Sequence, residues 1–140
     1  REVALMDQED KELAEVLGEF KIKLTYFGIG VEEREALNRA ISFACRYGYR
    51  EFSAFLVVNG LDRGYSKHAI EDHFLEAARH VLGDLRVEEA LSTAEGDPKG
   101  AWSILKRFHR KVLEALSKSA DLARRSFPQH FKAFELLLEN

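Results

Sequence analysis

Seven basic side chains in the last third of the chain, Lys106, Arg107, Arg110, Lys111, Lys118, Arg124 and Arg125, fall on one arc when each residue is turned by about 100° around a helix axis. Only Glu114 and two serines interrupt that arc. Clustered Lys and Arg can displace counterions from nucleic-acid phosphates or steer an acidic protein partner into contact. The same arc also reads as a solvated face that pairs with acidic helices of its own or a neighbouring subunit. The charge distribution makes either reading pronounced. Residues 99–132 hold nine Lys/Arg against two acids, whereas residues 1–98 carry a net charge of −8, so the overall −3 conceals a polar molecule.

The histidines form the second group. His109 lies at helical spacing with Trp102, Leu105, Val112 and Leu116, which predicts burial and makes it a candidate ligand-binding or pH-sensitive residue, because an unperturbed imidazole titrates near pH ~6.5. A core histidine held by one hydrogen bond fits the same pattern. His68, Glu71, Asp72, His73, Glu76 and His80 crowd one segment. His73 and His80 share a helix face but stand about 10 Å apart along the axis, too far to bind one ion. Glu76 and His80 could supply two ligands, yet the paired Glu-x-x-His elements of di-iron bundles are missing. No metal or other cofactor is expected.

Arg63 precedes His68 by five positions, and Arg125 precedes His130 by five. This spacing resembles the Arg-x4-His element of HEPN-type helical ribonucleases, which would imply RNA cleavage. Gly64 falls inside the first pair and Pro128 inside the second, so neither lies on an uninterrupted helix. No serine or cysteine nucleophile has a base nearby in sequence, and no phosphate-binding glycine loop follows a strand. Catalysis is not expected.

The elements that must position these residues read as helices. Leu13, Val16, Leu17, Phe20, Leu24 and Phe27 share one face of a first helix capped by Asp7 or Asp10, although Lys21 to Tyr26 also alternates with period two. A second helix is expected over 32–47, ended by Gly48; the short apolar stretch 50–58, where periodicity does not separate helix from strand, is read as a third, short helix closed by Asn59-Gly60. Ser66 would cap a fourth over 67–82, with Ile70, Phe74, Ala77, Ala78 and Val81 inward and Gly83 at its C-terminus. A brief helix over 85–93 precedes Gly96-Asp97-Pro98, where Asp97 caps and proline takes the first helical position. One long helix over 98–123 and a last one from Pro128, with Phe131, Phe134, Leu137 and Leu138, complete an all-α, compact single-domain bundle of about seven helical segments. This succession resembles a globin layout. Residues 85–93 hold no proximal histidine, so the resemblance implies a haem-free, globin-like regulatory domain.

The 140 residues suffice for one domain with a real core, and 46% hydrophobic with 32% charged residues excludes a disordered chain. Arg1 in place of methionine suggests a piece of something longer. Cys45 is the only cysteine, so no intrachain disulfide can form, and no apolar run approaches the ~18 residues of a membrane span. A cytoplasmic location without membrane contact is expected. Asn, Gln, Cys and Met together number seven, a bias that points to a thermophilic source. The resulting expectation is a non-enzymatic regulatory or interaction module that self-associates or binds a protein partner. The alternatives are a nucleic-acid-associated protein using the basic face of helix 98–123, and a ligand-sensing domain using His109.

Overall fold

The computed structural model describes residues 37–47 and 50–139. The first expected helix, the first residues of the second and the connecting Gly48 lie outside them. Two strands, β1 (Ala40–Tyr47) and β2 (Arg50–Val57), pair antiparallel and precede six α-helices: α1 (Glu71–Leu82), α2 (Asp84–Thr93), α3 (Pro98–Ile104), α4 (His109–Lys118), α5 (Ala120–Ser126) and α6 (Pro128–Glu139). A 3-10 turn, Lys106–Phe108, links α3 to α4. The molecule is mostly helical, as expected. Among the described residues no helix is long and apolar enough to cross a membrane.

Two of the expected helices are strands instead. The register pairs Ile41 with Leu56, Phe43 with Ala54, Cys45 with Phe52 and Tyr47 with Arg50. Ile41, Phe43, Cys45 and Tyr47 recur with period two, and β-branched and aromatic residues suit a pleated surface better than a helix. Leu37, Ala40, Ile41 and Ala44 satisfy helical spacing as well, which is why the sequence reads as a helix there. With these strands in place, the globin-like succession of helices is not present among the described residues.

Helix α1 is the hub, in contact with α2, α3, α4 and α5, while α6 lies against both strands and α5. The core gathers Leu75, Ala77 and Ala78 of α1 with Val87, Ala90 and Leu91 of α2, Ala101 of α3, Leu105, Val112 of α4, and Tyr65. Helix α1 starts four residues later than expected, at Glu71, with no side-chain cap, and Ile70 is exposed rather than inward. Ser66 instead donates its backbone amide to the Gly96 carbonyl. Gly83 does end α1, at φ 94°, donating its N–H to the Arg79 carbonyl. The Gly96-Asp97-Pro98 signal also holds: the Asp97 carboxylate accepts the Lys99 amide at 3.2 Å.

The long helix expected over 98–123 is three shorter pieces. The chain leaves helical geometry at Leu105 and again at Ser119, whose extended backbone (φ −124°, ψ 105°) starts α5. Ser119 Oγ accepts the Leu122 amide at 3.1 Å, so the residue works as a cap rather than as a mid-helix serine.

Candidate functional site

One face of α1 carries Asp72, His73, Glu76 and Arg79, all buried. Their positions recur at helical spacing toward the segment that leaves β2. Asp72, with no solvent exposure, accepts the Leu61 amide at 3.0 Å, the Ala69 amide at 3.2 Å and His68 Nδ1–H at 2.8 Å. Three donors on one carboxylate offset the cost of taking its charge out of water.

His73 is equally committed. Its Nδ1–H donates to the Ser126 carbonyl at 2.7 Å, and its Nε2 accepts the Gly60 amide at 2.9 Å. A ring that accepts through Nε2 is neutral, and burial pushes its pKa down from the usual histidine value.

From the other side, Gln129 of α6 donates through Nε2 to the carbonyls of Val58 and Gly60, at 2.9 and 2.7 Å. His130 donates Nε2–H to Asn59 Oδ1 at 2.7 Å. Burial and the neighbouring His73, whose ring centre is 4.9 Å away, hold the His130 pKa down at about 4. Residues 58–61 are thus gripped between α1 and α6. Gly60 sits at φ +148°, and a Cβ there would meet Leu37 Cδ2 at 2.7 Å and His68 Cβ at 2.9 Å.

The two Arg-x4-His pairs do not converge. Arg63 pairs with Glu76 at 2.6 Å while His68 serves Asp72. Arg125 pairs with Asp121 at 3.2 Å while His130 serves Asn59. His130 thus holds Asn59 of the loop directly, whereas His68 supports Asp72, which in turn holds Leu61. Among the described residues no group of three or more His, Cys, Asp or Glu side chains could hold a metal ion. His80 is exposed and separate from the seam.

The basic residues are placed differently from the expected single arc, because the breaks at Leu105 and Ser119 divide them among the 3-10 turn (Lys106, Arg107), α4 (Arg110, Lys111, Lys118) and α5 (Arg124, Arg125). All seven are exposed. Arg110 reaches Glu114 at 3.5 Å, Arg124 reaches Glu135 at 4.0 Å, and Arg125 has Asp121. Arg107 has no carboxylate partner among the described residues; it lies over the Phe108 ring, 4.7 Å from its centre, and Arg86 of α2 lies over the same ring at the same distance.

His109 opens α4 with its ring stacked on Trp102, centres 3.7 Å apart, and its Nε2–H donates to the Trp102 carbonyl at 2.6 Å. This is the geometry of a half-buried histidine held by one hydrogen bond. From it an aromatic series runs through Trp102, Phe74 and Phe127 to His73, with neighbouring ring centres no more than 6.0 Å apart.

On α6, only Gln129 and Ala133 are buried, whereas Phe134 is 45% and Leu138 is 85% exposed. Ile104 and Leu113 add exposed apolar surface on α3 and α4.

Sequence reasoning missed the Asp72–Leu61 contact, the role of Gln129 and the part of Arg86. Only Gln129, following the helix-opening Pro128, stood where a polar residue interrupts an apolar stripe. Comparison with protein-family models, curated proteins and solved structures finds no match.

Proposed function

We propose that this chain is a non-enzymatic interaction module that associates with a second copy of itself through α6. The observation that carries this reading is the exposure of Phe134 and Leu138 on a helix whose opposite side packs on β1, β2 and α5. A helix that leaves Phe134 and Leu138 exposed while burying Gln129 and Ala133 has a second face to cover. Charge supports a second copy as the occupant, since the net +7 of residues 99–132 complements the net −8 of residues 1–98 in another chain. The polar seam around residues 58–61 supports the same reading, because its hydrogen bonds hold backbone in place and leave the buried histidines neutral and engaged. The single cysteine fits the reducing cytoplasm.

Sedimentation equilibrium over a concentration series tests this. A dimer that dissociates on dilution is expected for the native chain. Phe134→Ser combined with Leu138→Ser should be monomeric with an unchanged circular dichroism spectrum. A native chain that stays monomeric throughout the series would overturn the reading.

A further inference from the structure

We propose that Arg86 and Arg107, set over the ring of Phe108, form a clamp for neighbouring phosphates of a nucleic-acid strand. Seven arginines lie beyond Gly60. Five of them, Arg63, Arg79, Arg110, Arg124 and Arg125, are ion-paired. The two without a carboxylate among the described residues are the two that share the Phe108 ring. They come from different elements, α2 and the 3-10 turn. Each guanidinium carbon is 4.7 Å from the ring centre, so the two charges stand no more than twice that distance apart.

Like charges within twice 4.7 Å of each other, neither with a carboxylate partner among the described residues, repel, and a ligand with two negative groups relieves that repulsion. A guanidinium over an aromatic face is oriented by the ring quadrupole and keeps its N–H edge available, so little freedom is lost when it meets a phosphate. Phe108 is itself fixed, packed against the core formed by α1 and α2.

A strand of nucleic acid is favoured over a small phosphorylated molecule by what surrounds the clamp. Lys106 of the same turn and Lys111 and Lys118 of α4 also lack ion-pair partners among the described residues, so uncompensated positive charge extends beyond the two arginines. An extended polyanion can use all of it through counterion release. This surface lies on α2, the 3-10 turn and α4, apart from Phe134 and Leu138 of α6, so substitutions at one site test it without removing the other.

The test is a salt titration of a fluorescent, mixed-sequence, single-stranded RNA against the native chain and its variants, with polyglutamate as a second probe. Arg86→Ala and Arg107→Ala should each lower the slope of log K against log salt by about one unit, and the double variant by about two, with affinity down at least tenfold. Arg110→Ala removes an arginine already engaged by Glu114 and should change the slope by less than about half a unit. Arg86→Lys with Arg107→Lys retains the charge, so it should keep the slope while losing affinity. A native chain that does not bind RNA overturns the proposal. So does a double Ala variant with undiminished binding, or an equal loss toward polyglutamate, which would show that the pair reads charge rather than phosphate.

Discussion

The Gly60 amide points at His73 Nε2, 2.9 Å away, and this contact ties the path of the chain after the β-hairpin to the protonation state of a side chain on α1. A proton on Nε2 would set two donors against each other. His73 therefore remains neutral as long as the loop is seated.

Stability should consequently fall in mild acid. In the unfolded chain both histidines titrate near pH ~6.5. In the folded chain His73 is held below that value, and His130 is held at about 4. As pH drops through this window the unfolded state takes up protons that the folded state refuses, so the contribution is complete above the unfolded pKa and lost toward the folded one. After allowance for the partial exposure of His130, that residue alone should account for about 2 kcal/mol. Melting temperatures between pH about 7 and about 4 check this, and His130→Gln should flatten the dependence. A native melting temperature constant across the window would refute it.

Asp72→Ala strands the Leu61 and Ala69 amides and His68 together. Loss of a buried carboxylate with three partners should cost about 3 kcal/mol, measured by urea denaturation. A loss below about 1 kcal/mol would mean that water replaces the carboxylate without penalty.

Gly60→Ala should be more damaging than its size suggests. The residue has positive φ, and the added carbon would lie 2.7 Å from a Leu37 methyl. A destabilisation of at least about 2 kcal/mol is expected from strain and displacement together. Gly64→Ala serves as the comparison, since that glycine also has positive φ but meets nothing within 4 Å. Equal effects at the two sites would remove the close approach as the cause.

Leu105→Ala should cost about 2–5 kcal/mol, because Leu105 is buried at the kink between α3 and the 3-10 turn. Phe74→Ala tests the aromatic series: Phe74 is only partly buried but stacks on Trp102 and meets Phe127 edge-on. About 3 kcal/mol is expected there, accompanied by a change in Trp102 fluorescence. Unchanged emission would show that the stacking is incidental.

The helical part of the fold was legible because its punctuation is strong. Asp97-Pro98, Gly83 and Pro128 each act through local chemistry that tertiary packing did not override. The hairpin was hidden because Gly48, readable as a helix stop, is also one of the two residues between the paired Tyr47 and Arg50. Ser119 was hidden because a serine within an amphipathic run gives no sign that its hydroxyl will restart a helix. Of the candidate residues, His109 does stack on Trp102, although the break at Leu105 puts the two on different helices rather than on one face. Arg86 could not have been joined to Arg107, because nothing in a linear pattern relates α2 to the turn before α4.

The hydrogen bonds from Gln129 to Gly60 and from His130 to Asn59 span 69 and 71 residues, and this sets an order on biosynthesis. The ribosome delivers the hairpin and its exit before α6, which carries the groups that grip that exit. While α1 to α5 are being made, the carbonyls of Val58 and Gly60 have only water to bind. A nascent chain halted before Gln129 should leave this segment open to protease, and the completed chain should close it. Helix α6 is therefore the latch of the fold, and a translating cell must carry the hairpin unlatched while the 69 residues from Gly60 to Gln129 are added.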